Sequence, residues 1–138
     1  MIAPVATLVL LAGCGGPPAA EVPATGPAPQ LVVERFLQAA NTGDWATMRQ
    51  LFGTSQQTIA DRDGPERADR HMHLLASLLR HDDFVVSGRQ QVPGRTDATY
   101  IVVTITRQGQ QRAIPFLVVP RGGGGWIIER IERLEELT

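Results

Sequence analysis

The spacing of apolar residues changes period once along this chain. From about residue 30 to residue 80 the apolar positions recur with the 3.6-residue period of helices. From about residue 84 they alternate as in strands. Between Gln30 and Asn41, Val33, Phe36, Leu37 and Ala40 fall at i, i+3, i+4 and i+7, so a helix carries them on one face. Pro29 suits its first turn, where no N–H is needed, and Gly43 suits its end. Asp44 can cap a second helix over 45–52, with Trp45, Met48, Leu51 and Phe52 on one side and Gly53 closing it. The polar stretch from Thr54 to Arg62 reads as a loop. Asp63, Gly64, Pro65 and Glu66 have capping-box spacing, and a third helix follows to about Arg80. Its buried stripe is Ala68, Met72, Leu75 and Leu79, supported by Leu78.

Four strands are predicted after the change of period, over 84–92, 98–107, 112–119 and 125–132. In the second, Ile101, Val103 and Ile105 alternate with Tyr100, Val102, Thr104 and Thr106. Pro93-Gly94, Gly109 and the run Gly122 to Gly125 mark the turns of an antiparallel meander. Pro115 inside the third strand predicts an edge position or a bulge, because proline gives no N–H to a ladder. Glu132 to Thr138 either frays or forms one helical turn. Helices first and strands after imply an α+β fold, three helices packed on one face of a four-stranded antiparallel sheet.

The run Val33-Glu34-Arg35-Phe36-Leu37-Gln38-Ala39-Ala40-Asn41-Thr42-Gly43-Asp44-Trp45 resembles the opening helix pair of the nuclear-transport-factor-two-like (cystatin-like, SnoaL-like) superfamily. Trp126-Ile127-Ile128 resembles its last strand. The resemblance spans residues 31–138 by order of elements. It implies a curved sheet wrapped around the helices into a cone with one open pocket, and sheets that pair face to face in a homodimer.

The chain begins differently. Residues 2–13 are uncharged and mostly apolar. A membrane span needs roughly 20 such residues, but an export signal needs an apolar core of only about 7–15. The run ends in Leu11-Ala12-Gly13-Cys14, which resembles the bacterial lipobox. A membrane peptidase needs small side chains beside the scissile bond, and the Cys14 thiol must be free to take a diacylglyceryl group. No Lys or Arg precedes Arg35, so the usual cationic opening of an export signal is missing. That leaves open whether Met1 is the true start. Gly15 to Pro29 holds five prolines and almost nothing to bury; as extended polyproline II at ~3.1 Å per residue it reaches about 45 Å. The expected organisation is therefore a lipoprotein signal peptide over 1–13, a lipidated Cys14 with its tether over 14–29, and one domain over 30–138. The expected address is the cell envelope, on the periplasmic face, anchored by lipid. Gly15 rather than Asp after the cysteine favours the outer membrane over the inner where two exist.

Composition narrows the chemistry. Of 138 residues, 43% are hydrophobic and 20% charged, enough to bury a core. The net charge of −1 argues against nucleic acid as a partner, because phosphate binding needs a basic surplus. All thirteen basic residues are Arg, so there is no lysine for a Schiff base or a P-loop. One Cys excludes an intrachain disulfide and a multi-cysteine metal site. His71 and His73 are two apart, about 200° around a helix, and cannot share a metal; His81 sits where a helix C-terminus would attract it. The glycine run has no following Lys-Ser/Thr, so it reads as a hairpin turn and not a phosphate cradle. Ser55, Ser77 and Ser87 lack a nucleophile-elbow setting. Glu129 to Glu136 reads as the solvated face of the last element.

Two readings of function follow, neither with a metal or cofactor. The first is a non-catalytic, lipid-anchored module that binds a small apolar ligand or an envelope protein. The second follows from the resemblance: enzymes of the superfamily pair an Asp or His with a Tyr or second carboxyl in an apolar pocket. It implies an isomerase, cyclase or dehydratase acting on a small apolar carbonyl compound, with Tyr100, Asp83 and His73 as candidates. The two separate on whether Tyr100 shares a closed apolar cavity with a carboxylate or imidazole, or whether Phe36, Trp45 and Met72 fill that space.

Overall fold

The computed structural model describes residues 29–138; the expected export signal, Cys14 and the expected tether as far as residue 28 lie outside the described residues. Four helices come first: α1 (Pro29–Thr42), α2 (Trp45–Gln50), α3 (Ile59–Asp63) and α4 (Pro65–Leu78). Four strands follow: β1 (Asp83–Val92), β2 (Arg95–Arg107), β3 (Gln110–Pro120) and β4 (Trp126–Ile131). A 3-10 turn over Leu134–Leu137 closes the chain. The sheet runs in sequence order, β1-β2-β3-β4, and every pair is antiparallel. The α+β class and the meander are those expected. No helix among the described residues is long and apolar enough to cross a membrane.

The helices form where the stripes predict, with three corrections. α2 stops at Gln50, short of Phe52. The residues beyond it serve the sheet instead: Ile128 donates its N–H to Leu51 (2.9 Å), and Gly53 donates to Ile128 (2.9 Å). This short parallel bridge covers the outer edge of β4. Gly53 is required there, since its φ is +155° and a Cβ would lie 2.8 Å from the Thr58 Cα. Second, the stretch read as a loop contains α3. Thr58 caps it by accepting the Asp61 N–H (3.2 Å), and Ile59 is fully buried. One turn is too short for a 3.6-residue period to register. Third, Asp63 does not cap α4. It ends α3 and accepts from Arg62 (3.0 Å). The cap position belongs to Gly64, at φ +85°, and Pro65 behind it needs no N–H partner.

Pro115 is also corrected, because β3 is an interior strand. The carbonyl of Pro115 accepts the Glu132 N–H (2.9 Å), so its nitrogen points to the same side, toward β4. The last paired residue of β4 is Ile131, opposite Phe116. Pro115 therefore faces Glu132 just past that pair, and the N–H it lacks is the one that would bond the Glu132 carbonyl, so the β3–β4 ladder stops there.

The sheet separates two apolar layers. Toward the helices, Ile101, Val103, Ile105, Ile114, Phe116, Val118 and Ile128 meet Val33, Phe36, Leu37, Met48, Met72 and Leu79, all close to fully buried. On the alternate positions, and so on the opposite face, Ala98, Leu117, Val119 and Ile127 form a second cluster with Val92 and Tyr100. Unpaired extra residues bend the strands: Ser87 in β1, Glu129 in β4, and Thr96 to Ala98 near the start of β2.

Candidate functional site

The interior between helices and sheet is packed with side chains. Phe36 and Met72 have no exposed surface, and Trp45 packs against the same core. The three residues singled out for acid–base chemistry are not brought together. Tyr100 lies on the sheet face opposite the helices, and its hydroxyl donates to Glu132 Oε1 (3.3 Å). Arg130 Nε donates to the same oxygen at 2.6 Å. Asp83 is exposed and pairs with Thr106, six residues along β2 from Tyr100, or about 20 Å. His73 is exposed on α4, on the other side of the sheet, with its ring 4.7 Å from that of Trp45. His71 faces Phe52 at 6.0 Å. His81 is buried and its Nδ1 lies 2.8 Å from the Leu79 carbonyl at the end of α4. A carbonyl only accepts, so Nδ1 carries the hydrogen. Among the described residues no group of three His, Cys, Asp or Glu could hold a metal ion.

A different place has the geometry of a site. The β1–β2 hairpin extends past the rest of the sheet: β2 pairs with β3 only from Thr99 onward. The β1–β2 ladder steps from Gln91–Thr99 to Val92–Arg95, leaving Thr96, Asp97 and Ala98 unmatched. A straight arm would hold Arg95 about 13 Å beyond Thr99 and about 10 Å across from β4. Instead Arg95 Nη1 bonds Glu129 Oε2 at 2.7 Å. The arm must therefore bend back over the sheet. It bends over the face opposite the helices, since Val92 and Ala98 join the second apolar cluster.

The hairpin itself frames a cleft of about 550 Å³, lined by residues of its two strands and turn between Gln91 and Thr99, among them Val92, Pro93, Arg95 and Ala98. Its walls mix apolar carbon with amide and hydroxyl groups, and one cation stands at the rim. Arg95 is 40% exposed and Glu129 29%. The hydrogen bond and charge of Glu129 raise the Arg95 pKa above its ordinary value, so the cation is permanent. Asp97 lies at 3.6 Å from Arg95 Nε and completes a small charged cluster. A cleft of this size suits a small molecule with an apolar body. Sequence reasoning missed these residues. Pro93-Gly94 announces the turn, but Arg95 and Glu129 are 34 positions apart and nothing local links them.

No family model matches this chain, and no curated protein matches it. The solved structures similar to it include two NTF2-related folds. One, described as "Rd1NTF2_05 with long sheet", is 17% identical, covers 74% of this chain and 91% of its own, and has a TM-score of 0.45. The other is an NTF2-like protein of unknown function from Cytophaga hutchinsonii. It is 12% identical, covers 83% of this chain and 99% of its own, and has a TM-score of 0.43.

Proposed function

We propose that this chain is an envelope lipoprotein, held to its membrane through acylated Cys14, whose domain is a non-catalytic binding module for a small apolar ligand. The anchor rests on the residues themselves, an uncharged apolar run ending in Leu11-Ala12-Gly13-Cys14 and followed by a proline-rich leash. One acyl chain binds a bilayer only reversibly, so stable anchoring needs the two or three chains that the lipobox implies. The observation that carries the binding reading is the position of Tyr100. It belongs to the sheet face away from the helices, while Phe36 and Met72 occupy the interior that an acid–base pair would need. The cleft framed by the hairpin arm supplies the ligand site, on a scale that suits a drug-sized molecule.

Mass spectrometry of the native protein extracted from envelopes tests both halves. An acyl mass on Cys14 and a co-purifying apolar compound support the proposal. Cys14→Ser should release the domain from the membrane fraction. An unmodified chain that begins at Met1 and sediments with no membrane contradicts the anchor.

A further inference from the structure

The hairpin arm that bends over the sheet has little to hold it there. Its backbone makes no ladder with β3, since pairing between β2 and β3 starts at Thr99. Its own two strands are out of step by the three residues Thr96 to Ala98. Such a multi-residue bulge breaks ladder bonds and concentrates bending at one place. The tip turns through Pro93 and Gly94, with Gly94 at φ +77°. Two kinds of contact tie the tip down. Val92 and Ala98 rest against Leu117, Val119 and Ile127, and Arg95 bonds Glu129 at 2.7 Å. Both partners of that ion pair are open to water, and an exposed pair adds little and is screened by salt.

We propose that residues 91–98 form a hinged flap over the second apolar cluster, with the unmatched residues Thr96 to Ala98 as the hinge and the Arg95–Glu129 ion pair as the latch. Opening lifts Val92 off the sheet and uncovers Leu117, Val119 and Ile127 beside the Tyr100 ring. Val92 and Ala98, which line the cleft, are the residues that pack on that surface. The flap thus admits an apolar ligand to an enlarged site and closes over it, a role that rests on the binding reading above. Neutral Glu129 or neutral position 95 releases the latch without touching the apolar floor.

Hydrogen exchange read by mass spectrometry on the full chain in detergent tests the flap without any ligand. In Glu129→Gln, exchange of amides within 91–98 should rise about two- to five-fold, the span that an exposed ion pair can shift an equilibrium. Amides of residues 101–105 and 114–118 should keep their wild-type rates. Raising the salt should reproduce the increase in the wild type and add nothing in the variant. Arg95→Gln approaches the same latch from its other side and should behave alike. Unchanged exchange in the hairpin, or a rise spread evenly over the whole sheet, overturns the flap. An apolar fluorescent dye is measured in parallel. If exchange rises and dye uptake rises with it, the flap gates a site. If exchange rises and dye uptake does not, the flap stands and the ligand role of the cleft falls.

Discussion

The side chain of Asn41 and the backbone of His81 hold each other at two points. Asn41 Nδ2 donates to the His81 carbonyl at 2.9 Å, and His81 N–H donates to Asn41 Oδ1 at 3.2 Å. The pair joins the last turn of α1 to the link between α4 and β1, across 40 residues of sequence. It fixes where the helical layer ends and the sheet begins. An amide fits this place because it alone presents one donor and one acceptor side by side.

Asn41→Ala should therefore destabilise the domain by about 1–3 kcal/mol, the cost of leaving partly buried backbone groups unsatisfied. Asn41→Asp keeps the acceptor for the His81 N–H but sets a carboxylate oxygen against the His81 carbonyl, so it should not restore stability. Urea titration of the three proteins measures both effects. Equal midpoints for wild type and Asn41→Ala would remove the clamp from this account.

Arg107 plays a similar part at the same end of the molecule. Its guanidinium donates to the carbonyls of Arg80 (2.7 Å), Leu137 (3.1 Å) and Leu78. Leu78 is the last residue of α4, Arg80 lies two residues beyond it, and Leu137 belongs to the closing 3-10 turn. A cation there also complements the negative end of α4. Arg107→Gln should cost about 2–3 kcal/mol, and Arg107→Lys should recover only part, because an ammonium lacks the planar fork. Thermal melts of both variants distinguish the two contributions.

The packed interior makes a contrasting prediction. Phe36 is fully buried and stacks on Phe52 with ring centres 6.0 Å apart. Phe36→Ala should cost about 3–5 kcal/mol, whereas Met72→Leu, which conserves volume, should cost less than about 1.5 kcal/mol. A small loss in Phe36→Ala, with uptake of an apolar dye into the interior, would mean that the helical side holds a ligand pocket after all.

Acid sensitivity should depend in part on the cap of α2. Asp44 accepts from the Thr47 hydroxyl (2.6 Å) and the Thr47 N–H (3.1 Å). The hydroxyl bond first, and the backbone bond second, hold its pKa below the ordinary carboxylate value. A carboxyl whose folded pKa is depressed contributes stability above its unfolded pKa of 3.8 and loses it as pH falls through the folded value. Asp44→Asn still caps the helix but has nothing to protonate. Its stability should match the wild type near pH 7 and fall less steeply below pH ~4. Parallel acid-unfolding curves for the two proteins would exclude Asp44 from the acid response.

The elements were legible to the degree that they depend on near neighbours. The stripe of Val33, Phe36 and Leu37 and the alternation of Ile101, Val103 and Ile105 both predict the buried faces observed. Local reading failed where a residue's partner is distant. Phe52 looks like the end of a helix until Ile128 arrives beside it. Pro115 looks like an edge residue because its sequence does not tell where β4 stops. Tyr100 draws attention as the only tyrosine, yet strand alternation sets it opposite Ile101, on the face away from the helices.

By itself the order of residues determined an α+β domain of helices followed by an antiparallel meander, because helical and strand periods arise from spacings of two to four residues. It also carried the short pattern on which an expected anchor at Cys14 rests. Only the tertiary structure decided that the interior is filled, that the hairpin folds back, and that Arg95 meets Glu129. Those outcomes depend on bulges that re-aim whole strands and on pairs tens of positions apart. A one-residue shift in such a ladder moves a side chain to the other face, and no local pattern records it.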